Sequence, residues 1–378
     1  MGDNAAGPDA SQSTPAPGSP VQQSSQRAQT PSPEQAGQGS PEQGSPGQGV
    51  PGGDASQTQQ TAAHVEVDDF HDQDSAFVDT QSSYTKSLAS SVVNYPIEHG
   101  RRYHAYRAGR YSRPNDEAEM DRLLLIHEII TRSIGGLYLA PLDKDTTKRI
   151  LDIGTGSGVW SIMMGDEFPN ATVIGNDLSA NMPTFVPPNV KFEVDDVESE
   201  WLHQEKFSFI FCRYMAASIY DWPKLVRTIH ENLEVGGWAE FEDFDLTYYS
   251  EDGSLDGTAL QDWITTLTGA ADKLGRDSNP GHKLEGFVRD AGFGNVVHRK
   301  YRVPIGLWPK DPLLKEIGGY NYTQVTSGLE GLTMRLYTNV LGWKEEEIFA
   351  LLARVRQDLN NPQIHAMFNL HVVYGQKL

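Results

Sequence analysis

Cysteine is nearly absent: Cys212 is the only one in 378 residues. A lone thiol excludes an internal disulfide and a cysteine-based zinc cluster, and an intracellular protein is the simple expectation. Basic residues are also scarce. Lys and Arg number 31 against 51 Asp and Glu, a formal net charge of -20. Nucleic acid and anionic membrane are held by clustered cations, so neither is expected as the main partner. No run approaches the ~20 apolar residues that cross a bilayer, and no membrane span is expected. Aromatics are missing at the start, where no Phe, Trp or Tyr precedes Phe70. Stretches such as "SPEQGSPGQGVPGG" bury too little apolar surface to offset chain entropy. Residues 1–80 therefore read as a disordered low-complexity tail. It has no basic start followed by an apolar core, and it is poor in Arg, so neither a signal peptide nor a mitochondrial transit segment is expected.

Past this tail the chain is patterned. The folded part is expected to begin between residues 80 and 95, with 81–148 as a helical N-terminal segment and 149–378 as the main domain. Pro114, Asn115 and Asp116 mark a helix start with acids in its first turn. Met120, Leu123, Leu124, His127, Ile130 and Ile134 recur at helical spacing, and Gly135-Gly136 stops the run. From Arg149 the period changes. "RILDIG", "ATVIGNDL", "VKFEVDD", "FSFIFCR" and "WAEFEDF" read as strands. "VWSIMMGDEF" and "DWPKLVRTIHENLEVGG" read as helices between them. Alternation of this kind specifies an α/β fold with a doubly wound, mostly parallel sheet and a crevice at the strand C-termini. Residues 255–275 read as an inserted helix lying over that crevice, "LEGFVRDAGFGNVVHRKYRVPIG" as helix, turn and strand, and "HAMFNLHVVYGQKL" as a last strand.

The loop after the first of these strands carries Asp152, Gly154, Thr155, Gly156, Ser157 and Gly158. A dinucleotide fingerprint begun at Gly154 would place its third glycine on Val159, and no Lys follows for a P-loop. Asp152 at the strand end would repel a pyrophosphate but suits a cationic amino or sulfonium group. S-adenosylmethionine carries both and no phosphate, and the glycines let the backbone approach it. Asp177 ends the next strand, where ribose hydroxyls are held in doubly wound folds. Asp195 and Asp196 end the third, where a carboxylate can accept from an adenine amino group. Leu178 and Val197 follow these acids and complete this part of the candidate site.

Several stretches together, "YHAYRAGRY…PND", "RILDIGTGSGVWSI", "VIGNDLS", "VPPNVKFEVDDVESEW" and "DWPKL…NLEVGGWAEFEDF", resemble the fungal LaeA-like methyltransferases over residues 95–378. The resemblance implies a class I methyltransferase (Rossmann-like) fold and S-adenosylmethionine as cofactor. It puts Asp152, Gly154, Thr155, Gly156 and Gly158 on the methionine side, Asp177 on the ribose and Asp196 on the adenine, with the stretch Tyr103 to Tyr106 as a cover. It further implies control of fungal secondary metabolism and development, in nucleus and cytoplasm, in complexes with velvet-domain proteins or related methyltransferases. A biosynthetic enzyme that methylates a small metabolite is the alternative. A scaffold that binds the cofactor without turnover is disfavoured, because a dead site has no need of intact acids and glycines.

Other residues have plainer readings. Tyr103, Tyr106 and Tyr111 either contact cofactor or pack an N-terminal arm on the sheet. Cys212, Trp160, Trp201 and Trp222 read as core, and Arg213, at its strand's end, faces the crevice as a ligand candidate. Of Glu240, Glu242, Asp243 and Asp245, alternation puts some toward solvent. The eleven histidines show no metal-ligand spacing. His104, His127 and His282 are candidate general bases, and none is assigned.

Overall fold

The computed structural model describes residues 94–107 and 111–378. The expected tail, residues 1–80, lies outside the described residues. A hairpin of two-residue strands, β1 (Ile97–Glu98) and β2 (Arg101–Arg102), precedes the first described helix, α1 (Glu117–Ile134). Asp116 caps α1 by accepting from Glu119 N, and Gly135, at φ 77°, ends it. Arg101 donates to both Asp116 carboxylate oxygens, at 2.6 and 2.7 Å, which ties hairpin to helix.

The expected strands and helices then follow: β3 (Arg149–Ile153), α2 (Val159–Glu167), β4 (Thr172–Asp177), β5 (Val190–Val194), β6 (Phe207–Arg213), α3 (Trp222–Asn232) and β7 (Leu233–Tyr249). The last third holds α4 (Ala259–Lys273), α5 (Leu284–Asp290), β8 (Gly294–Pro304), α6 (Pro312–Asn339), α7 (Glu345–Leu359) and β9 (Met367–Gln376). Seven strands form one sheet in the order β5-β4-β3-β6-β7-β9-β8. The first five are parallel, and β9 runs antiparallel between β7 and β8. Chain order reverses beside β3, so the crevice opens at the C-terminal ends of β3, β4 and β6.

Strands buried on both faces read as near-continuous apolar runs, and each face has its own core. Ile150, Phe209 and Phe211 pack under α2, where Trp160 stacks on Phe211 with centroids 3.8 Å apart. Leu151, Ile210 and Phe241 meet Leu225 and Ile229 of α3 and Val288 of α5 on the other face. A third cluster joins α1, α4, α6 and α7 to the β7-β9-β8 half of the sheet through Ile130, Trp263, Leu329, Leu352 and Leu370.

Five expectations need correction. The inserted helix α4 lies off the crevice. Its apolar face, led by Trp263, is buried against α6 and α7, where Trp263 Nε1 donates to Thr333 Oγ1. Strand β7 starts at Leu233, directly after α3, because Gly236 at φ 87° bends the chain without ending the ladder. Glu240, Glu242 and Asp243 are fully buried rather than facing solvent, because α3, α4 and the segment after α1 pack on β7. Leu124 is exposed on the outer side of α1, and Trp201 is only half-buried.

Candidate active site

Between Ile153 and Val159 the chain must turn from strand to helix. Gly154, Gly156 and Gly158 make that turn at φ of 68°, 56° and 76°, a region that costs an L side chain roughly 1–2 kcal/mol per residue. Space is short as well. A Cβ on Gly154 would stand 2.5 Å from Met215 Sδ, and one on Gly158 2.6 Å from Phe192 Cζ. The end of β4 pins the loop: Thr155 N donates to Asn176 O at 2.9 Å and Gly156 N to Asp177 Oδ2 at 3.0 Å. Asp177 Oδ1 accepts from Ser179 N at 2.9 Å, and burial pushes its carboxyl above the usual range.

A cavity of about 1150 Å³, counted with its open mouth, lies over these strand ends. Residues 154–157, 176–179, 195–198 and 213–215 wall it, and α1 closes it with Glu119, Met120, Leu123, Ile126 and His127. Nine of the sequence candidates stand on this wall: Gly154, Thr155, Gly156, Asp177, Leu178, Asp195, Asp196, Val197 and Arg213. Asp196 has both oxygens engaged, by Arg107 Nη1 and by Glu198 N. Asp195 is half-buried, and its Oδ1 accepts from Asp196 N.

Four candidates are placed elsewhere. Asp152 lies beneath the loop, 3 % exposed, and its Oδ2 accepts from Thr155 Oγ1 at 2.6 Å and Ser161 Oγ at 2.7 Å. Its role there is to bind loop to helix. Burial raises its carboxyl to about 6. Gly158 begins α2 and packs on Phe192. Tyr103 is fully buried under the Arg335 guanidinium, 4.4 Å from its ring centroid, and Tyr106 lies against Arg107. The arm reaches the cavity through other residues, Arg107 on Asp196 and Tyr111 on the wall.

The wall also includes residues that sequence reasoning missed. Asn176 precedes the expected ribose acid, and Tyr214 and Met215 follow Arg213. Their loop is held in a costly conformation. Tyr214 and Ala217 sit at φ 58° and 59° without being glycine, and such strain persists only where surroundings over-determine it. Here Asp243 accepts from Met215 N at 2.7 Å and Ala216 N at 3.2 Å, Arg113 donates to Ala216 O, and Ala217 N donates to Asp277 O. Burial lifts Asp243 to about 7. The stripe Met120, Leu123, His127 on α1 was legible as a helix face, but its neighbour is the cavity as well as the sheet.

Under α1 lies a cluster of ionisable groups on one face of the sheet. Arg213 Nη2 donates to His127 Nδ1 at 3.0 Å. Glu242 is the register partner of Arg213, and Glu240 is two residues away on the same face of β7. Glu240 accepts from Leu139 N and Ala140 N, and burial raises it to about 7. Burial and that neighbouring carboxyl push Glu242 well above the ordinary range. Burial first, then the Arg213 charge, lowers His127 to about 3.

Of the three candidate bases only His127 reaches the cavity. Its depressed basicity makes it a weak acceptor of protons. His104 is buried with Nδ1 and Nε2 against the carbonyls of Tyr106 and Tyr111, and His282 pairs with Asp245 away from the cavity. No base is therefore assigned. When bound, S-adenosylmethionine supplies a methyl group already activated for displacement. The chain's part is to align acceptor, methyl and sulfur and to exclude water, which a rigid glycine loop, a strained β6 loop and α1 are built to do.

A crevice at the C-terminal ends of a mostly parallel sheet, with a glycine turn and Asp177, Asp195 and Asp196 on its wall, is the arrangement of a class I methyltransferase. Known proteins agree. A methyltransferase domain is matched over residues 126–298. Methyltransferase pytC of Aspergillus terreus is 45 % identical over 309 residues, covering 81 % of this chain and 95 % of that protein. The secondary metabolism regulator LAE1 of Cochliobolus heterostrophus is 35 % identical over 287 residues, covering 74 % and 93 %. The secondary metabolism regulator laeA of Aspergillus flavus is 32 % identical over 298 residues, covering 77 % and 80 %. The chain belongs to the S-adenosylmethionine-dependent methyltransferases of this LaeA-like family.

Proposed function

We propose that this methyltransferase is a LaeA-like regulator of fungal secondary metabolism and development. It acts in nucleus and cytoplasm, in a complex with a velvet-domain protein or a related methyltransferase. The reading is carried by similarity along most of the chain to two proteins named as secondary metabolism regulators. The glycine turn and the strand-end acids on the cavity wall support a catalytic rather than a scaffolding role. A second reading has its own observation: the 45 % identity to pytC, named simply as a methyltransferase, favours a small-molecule acceptor. The test is a tritiated-methyl transfer assay on native extract, resolved into protein and small-molecule fractions, beside affinity capture of the tagged chain. Label in protein together with a velvet-domain or methyltransferase partner supports the regulator. Label confined to a metabolite, with the chain captured alone, refutes it in favour of biosynthesis.

A further inference from the structure

One donor on the cavity wall has no acceptor among the described residues. Arg213 Nη2 donates to His127, but Nη1 is shielded from solvent without a hydrogen-bond partner among the described residues. A shielded guanidinium N–H left unmatched is unfavourable. The nearby acids do not match it. Asp152 Oδ2 is held by two hydroxyls. Among the described residues neither carboxyl oxygen of Glu242 has a hydrogen-bond partner, so Glu242 does not accept from Nη1. Burial, then the Arg213 charge, lowers His127 to about 3, so its ring is neutral. With Nδ1 accepting from Arg213, its hydrogen lies on Nε2. Arg213 and His127 both line the cavity, where β6 meets α1. Arg213 and His127 thus bring a cationic N–H and a neutral N–H together at this junction.

We propose that Arg213 and His127 form a carboxylate subsite at this junction. A planar carboxylate has two oxygens for such a pair, and charge-assisted bonds to a guanidinium are among the strongest. The proposal rests on the methyltransferase assignment and adds a ligand group to it. The carboxylate comes either from the amino-acid part of the cofactor or from the methyl acceptor.

Calorimetry on the full chain separates the sources. S-adenosylhomocysteine carries the carboxylate, and 5′-methylthioadenosine keeps the adenosine but lacks the amino-acid part. Benzoate, titrated into protein saturated with S-adenosylhomocysteine, probes the acceptor side. If R213Q weakens S-adenosylhomocysteine about ten- to a hundred-fold and leaves methylthioadenosine unchanged, the subsite holds the cofactor carboxylate. If R213Q leaves S-adenosylhomocysteine unchanged but abolishes benzoate binding, it holds the acceptor's. R213K, with charge but no fork, should recover part of either loss. The subsite is overturned if R213Q binds all three probes as the wild type does, or loses both adenosine ligands equally. Failure of the wild type to bind either adenosine ligand would instead overturn the cofactor assignment beneath it.

Discussion

Asp152 and Asp177 are two carboxyls at adjacent strand ends with different duties. Asp152 is buried and holds Thr155 and Ser161. Its value is raised to about 6, so the folded state binds its proton more tightly than the unfolded state does. The stability this gives is fully present below about pH 4, the unfolded value, and is lost as pH rises through 6. Asp152→Asn keeps an acceptor but does not titrate. Its stability relative to wild type is expected to improve by on the order of 2–3 kcal/mol between pH 4 and pH 8, as read by urea unfolding across that range. A pH-independent difference would refute the burial argument. Asp177 is on the cavity wall. Asp177→Ala should lower S-adenosylhomocysteine affinity by about ten-fold to several hundred-fold, and Asp177→Asn less. The alanine variant should also unfold more easily, since Gly156 N and Ser179 N lose their acceptor. Calorimetry and thermal melting check both.

Among the elements, α6 is governed by contact rather than by propensity. It has Gly318, Gly319, Gly328 and Gly331 in one helix, and its buried side includes Asn321, Gln324 and Thr333. Gly328 faces the shaft of Arg122, whose Cδ would lie 2.6 Å from an added Cβ. Arg122, 1 % exposed, joins α1, α6 and the β6 loop through Glu119, Gln324 and Tyr214 OH. Gly to Ala in a helix ordinarily stabilises by roughly 0.5–1 kcal/mol. Gly269→Ala in α4 has open space and should show that gain as a higher melting temperature. Gly328→Ala should reverse the sign, because Arg122 must leave its partners. A rise in melting temperature for both variants would refute the packing argument.

In the molecule as a whole, all named walls of the cavity lie between Tyr111 and Arg276. The composition of residues 1–80 buries too little apolar surface to build a site. A chain beginning near Ser82 should therefore bind S-adenosylhomocysteine as tightly as the full chain does. A large loss of affinity in calorimetry would mean that the start of the chain contributes to the site. The β7-β9-β8 half of the sheet has a separate task. Its helical cover of α4, α6 and α7 holds α1 in place over the cavity.

The sequence alone determined the β3–β7 series, the glycine turn and the acids at three strand ends, because those features follow from local rules. Short apolar runs make strands buried on both faces, left-handed turns require glycine, and the C-terminal ends of parallel strands border the crevice. It also disclosed the family, through several motifs in one order. Only tertiary structure decided what depends on packing between distant segments. Residues 312–339 form a helix whose buried side mixes Ile317, Val325, Leu329 and Met334 with Gly318, Gly328, Asn321 and Gln324, and the glycines and amides blur its apolar stripe. Glu240, Glu242 and Asp243 are buried because α3, α4 and the segment after α1 pack on β7. Asp152 turned beneath its loop because Thr155 and Ser161 offer donors there. The pairing of Arg213 with His127 joins residues 86 apart in sequence, and no local pattern encodes such a contact.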